Sequence, residues 1–388
     1  MGKRDKYLVF TIALSAVVFL AASVSRGEDE QPPPKKRTPE EFAKFKKKLD
    51  WFYKAKYGIM FHFLPNMHRF RRNRAQWTPE KWNAWVDAVD VEKVAKQARD
   101  VGAGYVILSI SQGGGFACVR NPVIAKHWGL KPEDYGSARD LPTDLYEALK
   151  KYDIKMMLYI ASSPHLMPGP KSEKAGWFGN GFKFAKCTPE GARHWAEVVK
   201  WYSEHYGTKV SGWWLDGLRE WAPGYREMIH KAAIAGNPDA ITASATYALS
   251  DFTHGHCVRN WKKQQKNVPK NRWDPTYKIQ WHAFQYLGHS WAARDAPRST
   301  ESLVDYAVNV VKNGGVITFD VGTFEEEKGK PVKGPLLEMA PKQYQQLLAI
   351  KKALENLERK PGADPGDGKG EPEKSAPSDN ASGRKDEK

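Results

Sequence analysis

The sequence predicts an α/β protein that folds as a single-domain, TIM-like (β/α)8 barrel. Short apolar runs alternate with segments of helical periodicity, as expected of parallel strands joined by crossover helices. No helix opens on the glycine pattern of dinucleotide-binding folds, so the alternative of an open doubly wound sheet lacks its central feature. Polar residues follow the apolar runs directly, where barrel enzymes hold their sites; they are His62, Gln112, Ser162, Asp216 and Asp320.

The predicted elements follow one another from residue 56 onward. The buried strands are the apolar runs 56–63, 105–109, 155–160, 212–216 and 316–320. The helix before the fourth run starts at Thr188, because a capping threonine precedes a proline and an acidic residue in the first turn. Ser299 caps the helix before the last run, and the glycines after Asn313 end it.

The chain divides into four predicted segments. Residues 1–27 hold a basic start and an apolar run at 7–22, the layout of a secretory signal; the run is short for a spanning helix, so an uncleaved anchor is the alternative. We therefore expect export to the periplasm, the cell surface or the medium. Residues 28–40 form a Pro/Lys-rich linker, 41–358 the barrel, and 359–388 a charged, disordered tail without aromatics. No room is left for a C-terminal β-sandwich.

Charge and cysteine content narrow the function classes. The 61 Lys and Arg residues against 45 Asp and Glu give a net charge of +16, but no nucleic-acid-binding motif accompanies it. A solvated basic face is the simpler interpretation, and we expect no nucleic-acid partner. The 3 cysteines are too few for a disulfide framework, and no ligand spacing indicates a metal or another cofactor.

Asp216 is the first candidate for chemistry. It ends an apolar strand, and Gly217 lets the backbone turn there, so its carboxylate would point into the barrel mouth. Alternatively, Asp216 caps the next helix or pairs with Arg219. His62 likewise ends a strand, as either a ligand or a satisfied core histidine. Tryptophans near strand ends fit a sugar-stacking cleft or simply a large core; they are Trp77, Trp213, Trp214, Trp221, Trp281 and Trp291.

The opening strand resembles that of glycoside hydrolase family 29, the α-L-fucosidases. Residues 51–62, WFYKAKYGIMFH, are similar to the family's W-F-x-x-A-K-F-G-I-F-x-H. Further similar segments follow in the family's order, at 90–108, 139–159, 210–217, 237–241 and 290–322. The resemblance implies a barrel glycosidase without cofactor. It also places Asp216 where the family keeps its nucleophile, at the end of W-F-D-G.

The departures from the family lie at its sugar-binding positions. Gln112 and Gly113 stand where the family has the two histidines that contact fucose, and Gln76 replaces a glutamate. The family's N-D-R segment is replaced at Ala243 and the two residues that follow it. His282, after Trp281, stands where many members carry the acid/base glutamate.

The resemblance therefore predicts a retaining glycosidase with nucleophile Asp216 and altered sugar specificity. A retaining enzyme needs a second group that gives and takes a proton; the candidates are His282, Asp274, Asp295, Glu220 and Asp251. The expected sugar-contacting residues are His62, Trp77, Gln76, Gln112, Trp214, Trp281 and Trp291. The alternative is a catalytically inactive barrel that binds carbohydrate.

Overall fold

The computed structural model describes residues 32–65, 77–112, 115–163, 176–178, 186–255, 260–327, 330–333 and 336–364. The predicted signal at 1–27, Gln76 and the tail beyond 364 lie outside these residues. Within them, none of the helices combines the length and the apolar character needed to cross a membrane.

The centre of the fold is a parallel sheet of seven strands. The strands among the described residues are β1 (Tyr57–Phe61), β2 (Tyr105–Ser111), β3 (Lys155–Ala161), β4 (Trp177–Phe178), β5 (Lys186–Cys187), β6 (Val210–Asp216), β7 (Ile241–Ser244), β8 (His282–Tyr286), β9 (Val316–Val321), β10 (Glu325–Glu327) and β11 (Lys330–Lys333). The order in the parallel sheet is β7-β6-β3-β2-β1-β9-β8. The predicted α/β class is confirmed, and the sheet is consistent with a (β/α)8 barrel.

An irregular segment, 251–255, bonds to both edge strands of this sheet. The Asp251 amide donates to the Thr242 carbonyl of β7 at 2.7 Å. On the other side, the Phe284 amide of β8 donates to the Gly255 carbonyl at 2.9 Å. Gly255 has φ +59°, and a Cβ there would lie 2.4 Å from the carbonyl oxygen of His282. The segment thus occupies the position of an eighth strand, and glycine lets it pass close to β8.

Helices connect the strands and pack outside the sheet. They are α1 (Pro39–Ala55), α2 (Pro79–Asp87), α3 (Val91–Asp100), α4 (Pro122–Trp128), α5 (Leu141–Lys150), α6 (Pro189–Tyr206), α7 (Tyr225–Ala233), α8 (Trp261–Lys266), α9 (Thr300–Lys312) and α10 (Pro341–Glu355). The predicted starts of α6 and α9 are confirmed: Thr188 and Ser299 accept from backbone amides of the first turn at 3.0 and 3.2 Å.

Both ends of the described chain pack against the amino-terminal end of the sheet. The side chains of Phe45, Leu49 and Phe52 from α1 are buried among residues inside the sheet, which stabilises the fold by about 1.5–3 kcal/mol each. The backbone amide of Arg272 donates to the Ala363 carbonyl at 2.7 Å, and Ala363 is buried. The packed region therefore extends beyond the boundary predicted at residue 358.

Candidate active site

Asp216 is the last residue of β6, and its carboxylate is held through one oxygen. Oδ2 accepts hydrogen bonds from the Tyr159 hydroxyl at 2.5 Å and from the Gln112 Nε2 at 2.9 Å. The Asp216 carbonyl accepts from the amide and hydroxyl of Ser162, at 2.9 and 2.6 Å, which fixes the strand end. Gly217, at φ +66°, then turns the chain. Among the described residues, the carboxylate neither caps a helix nor pairs with Arg219.

Tyr159, near the carboxyl end of β3, supplies a neutral donor to this carboxylate. Burial raises the pKa of the Tyr159 phenol well above its usual value, and the negative charge of Asp216 raises the pKa further. The phenol therefore keeps its proton at physiological pH. Sequence reasoning missed this residue because a tyrosine inside an apolar run is expected in the core. Its position at the end of a predicted strand was the available signal.

His62 is the second predicted residue near Asp216. Its ring lies edge-on to that of Tyr159, with 5.4 Å between centroids, and its Nδ1 is 2.5 Å from Oδ1 of Asp320. Oδ2 of Asp320 accepts from the amide of Ala292 at 2.6 Å. An acceptor at Nδ1 favours the tautomer that carries its proton there. Nε2 of His62 has no hydrogen-bond partner in the part of the chain that the structure describes, so it can contact a ligand.

An aromatic row continues from His62 across the site. Trp291 lies edge-on to His62 at 5.7 Å and stacks on Phe284 at 4.9 Å. Phe284 contacts Trp214 at 4.7 Å, and Trp214 stacks on His254 at 5.8 Å. Trp214 is only 3% exposed, so it supports the cleft from below, whereas Trp291 is half-buried and accessible. His254 was not predicted because 251–255 lacks a strand-like apolar run.

Two predicted residues lie at the opposite end of the sheet. Trp281 precedes β8 and His282 begins it, whereas Asp216 ends a strand parallel to it. Both ring nitrogens of His282 are engaged, Nδ1 with the Thr253 carbonyl at 3.0 Å and Nε2 with Thr318 Oγ1 at 2.8 Å. Burial lowers the pKa of His282 to about 3, so the ring stays neutral. The predicted roles of His282 as proton donor and Trp281 as sugar platform are therefore wrong.

The carboxylate candidates for the proton donor also divide between the two ends of the sheet. Asp274 accepts from the amides of two residues in a turn before β8, and Asp251 accepts from Lys48 of α1 at 3.0 Å, so neither lies at the carboxyl ends of the strands. Glu220 and Asp295 lie in loops that follow β6 and β8. Oε1 of Glu220 accepts from the Tyr225 amide at 2.9 Å, and Oδ1 of Asp295 accepts from the amide and Nδ1 of His289, both at 3.0 Å.

Trp77, the remaining predicted aromatic, stands two residues before α2. Its ring lies 6.0 Å from that of Trp82, and the Lys81 ammonium lies 4.8 Å from its centroid. Its partner in the predicted pair, Gln76, lies outside the described residues. In the described ranges, no three His, Cys, Asp or Glu side chains are grouped to hold a metal ion.

Comparison with known proteins gives a family match. The model of the family described as alpha-L-fucosidase matches residues 64–330. No curated protein sequence matches the chain.

Solved structures share the fold at low sequence identity. The endo-fucoidan hydrolase MfFcnA9 from glycoside hydrolase family 107 is 17% identical, with a TM-score of 0.58 over 79% of this chain and 64% of that one. For the endo-fucoidan hydrolase MfFcnA4 of the same family, the values are 16%, 0.56, 79% and 53%, so this chain spans about half its length. Unliganded alpha-L-fucosidase AlfC from Lactobacillus casei is 18% identical, with a TM-score of 0.54 over 79% of this chain and 97% of that one.

Proposed function

This chain belongs to the α-L-fucosidase family and is a glycoside hydrolase of that type, and on this premise we propose that it is a retaining enzyme with Asp216 as its nucleophile. One observation carries the proposal. The Asp216 carboxylate, at the carboxyl end of β6, is fixed through Oδ2 by Tyr159 and Gln112, while Oδ1 accepts no hydrogen bond from the described residues. A carboxylate that is fixed on one oxygen and unbound on the other is suited to attack.

The proposed reaction has two steps. Oδ1 of Asp216 forms a bond to the anomeric carbon as the glycosidic C–O bond breaks, and an acid group gives its proton to the departing oxygen. Water then attacks the anomeric carbon, gives a proton to the same group and releases Asp216. The sugar leaves with the anomeric configuration that it had in the substrate.

Three groups at the carboxyl ends of the strands are candidates for this proton transfer: Glu220, Asp295 and His254. The two carboxylates each accept hydrogen bonds from loop residues. His254 lies on the segment that fills the eighth strand position, and an imidazole can both give and take a proton. The acid is the group whose removal slows substrates with poor leaving groups far more than those with good ones.

The proposed substrate differs from plain α-L-fucosides. Gln112 and Gly113 stand where the family has two imidazoles that contact fucose, so hydrogen bonds to particular hydroxyls are lost. Sites built to bind a hydroxyl lose selectivity steeply when its partner is removed. His62 and Trp291 are the proposed contacts with the sugar, through Nε2 and the indole face.

A screen of aryl glycosides against wild type and Asp216→Asn tests this function. We expect turnover of at least one glycoside, retention of configuration by proton NMR, and a loss of about 10³-fold or more in the variant. External azide should restore turnover to the smaller variant Asp216→Gly. If no glycoside in the screen is hydrolysed while sugars still bind, the chain is instead a carbohydrate-binding barrel.

We also propose that residues 1–27 direct export and that the barrel, predicted at 41–358 and extended by the packed Ala363, is the catalytic domain. The basic start and the apolar run at 7–22 support export. N-terminal sequencing of the protein purified from its native host tests this. A mature chain that starts near residue 28 indicates a cleaved signal, an intact start in the membrane fraction indicates an anchor, and an intact start in the cytosol refutes export.

A further inference from the structure

We propose that Gln112 is a two-sided positioning and specificity residue, a role that rests on the proposed function. Its Nε2 holds Oδ2 of Asp216, so that Oδ1 is the attacking atom. Its Oε1 accepts a hydrogen bond from the sugar hydroxyl on the carbon next to the anomeric carbon, the 2-hydroxyl. The enzyme would then require glycosides whose 2-hydroxyl is free.

The orientation of the amide follows from its neighbours. The ionised carboxylate of Asp216 only accepts hydrogen bonds, so the Gln112 atom 2.9 Å from it must be the NH₂ group. The same NH₂ group donates to the oxygen of Tyr159, whose own proton goes to Asp216. Both amide hydrogens are therefore used, and the three side chains form a closed hydrogen-bonded triangle.

This triangle distinguishes the two oxygens of Asp216. The Gln112 and Tyr159 hydrogen bonds both end on Oδ2, and no described residue donates to Oδ1. Both donors are neutral, so they fix the carboxylate without a neighbouring cation to reduce its charge. An imidazole at the same position would gain and lose a proton near neutral pH, whereas an amide does not.

The free side of the Gln112 amide is an acceptor beside the reaction centre. Oε1 has no partner among the residues described, and an amide oxygen accepts hydrogen bonds only. For attack, Oδ1 must lie about 3–3.5 Å from the anomeric carbon, which brings Gln112 next to the substituents of that carbon. The ring oxygen has no proton, and the leaving group departs from the opposite side. The 2-hydroxyl is the remaining donor.

A hydrogen bond at this hydroxyl would also contribute to catalysis. Contacts to the 2-hydroxyl of glycosides strengthen as positive charge develops at the anomeric carbon, and they contribute to catalysis in other glycosidases. Loss of the Gln112 contact should therefore lower kcat more than it raises KM. A sugar that is substituted at its 2-hydroxyl would meet the Gln112 side chain and should be rejected.

The test compares each glycoside that is turned over with its 2-deoxy counterpart, in wild type and Gln112→Leu. Leucine keeps the approximate size and removes both hydrogen-bonding groups. We expect kcat/KM to fall about 100-fold for the parent glycoside and about 10-fold for the 2-deoxy glycoside, since only the contact to Asp216 is lost there. Equal losses for the two substrates would overturn the proposal. The matched control is Gln345→Leu, an exposed glutamine on α10, which should change neither value.

A binding experiment separates this proposal from the proposed hydrolysis. Calorimetry on unreacted protein would compare each member of a panel of monosaccharides with its 2-deoxy form. We expect wild type to bind the parent sugar about 10-fold more tightly, and Gln112→Leu to bind the two forms equally. This preference without any turnover would refute hydrolysis and support the role of Gln112. The proposed role of Gln112 would be overturned if folded wild type bound the parent and 2-deoxy sugars equally, or if it bound no sugar of the panel.

Discussion

Replacement of Tyr159 by phenylalanine tests the anchoring of Asp216 directly. The change removes one hydroxyl, which donates to Oδ2 of Asp216 at 2.5 Å, and keeps the ring that packs 5.4 Å from His62. A hydrogen bond to a charged group contributes about 1.5–3 kcal/mol. Solvent reaches Asp216, so the lower half of this range applies, and one bond from Gln112 remains. We expect kcat to fall about 10- to 100-fold.

The expected pattern distinguishes orientation from sugar binding. Without the phenol, the carboxylate of Asp216 can rotate while it keeps its hydrogen bond to Gln112, so Oδ1 leaves the line of attack. The aromatic contacts of the sugar stay in place. The change should therefore appear in kcat, with KM within about threefold of wild type. Steady-state kinetics on the best aryl glycoside measures both.

Tyr57→Phe is the matched control for this variant. Tyr57 is buried at the opposite end of the sheet and donates to the Val101 carbonyl, so its replacement should cost about 1 kcal/mol of stability and leave kcat unchanged. If the kcat of Tyr159→Phe stays within twofold of wild type while the protein is folded, the phenol does not hold the nucleophile.

Two further predictions concern stability. Burial lowers the pKa of His282 to about 3 in the folded protein, whereas the pKa of a histidine in the unfolded chain is about 6.5. Between these two pH values the unfolded chain binds a proton at His282 and the folded chain does not. Stability should therefore fall as pH falls, by about 2 kcal/mol between pH 6.5 and 5, and urea unfolding at both pH values should show this loss reduced in His282→Gln. Gly255→Ala should cost about 2–4 kcal/mol, because its φ is +59° and the new Cβ would lie 2.4 Å from a carbonyl oxygen. Gly129→Ala, at φ +62° with no atom within 4 Å, should cost only about 1–2 kcal/mol; equal losses would contradict the steric argument.

Local sequence patterns predicted most of the sheet because buried parallel strands are continuous apolar runs. The five predicted strands correspond to β1, β2, β3, β6 and β9. The segment 251–255 could not be predicted, because it contains polar residues and a glycine and is held by backbone hydrogen bonds to two strands far apart in sequence. Such pairing depends on which strands meet in the folded sheet rather than on local propensity.

The site was predicted where side chains follow strands and missed where they lie inside them. Asp216 and Gln112 come after apolar runs, and the structure brings them together. Tyr159 lies within its run, so its role is visible only from the contact with Asp216. His282 was assigned by resemblance to the position of an acid, but it begins its strand. The resemblance predicted the order of the elements correctly. Whether a residue can reach the substrate, however, depends on the end of the strand at which it lies.

The charge of the groups that contact Asp216 bears on the reaction proposed for it. Its hydrogen-bond partners, a phenol and an amide, are neutral, and no lysine or arginine forms an ion pair with it in the described part of the chain. A neighbouring cation would oppose the positive charge that develops on the sugar during glycoside cleavage. Neutral donors fix the carboxylate and leave its negative charge to act on that developing charge. Under the proposed function, an amide at Gln112 in place of a titratable imidazole would change which sugar binds and would preserve the electrostatics that cleavage requires.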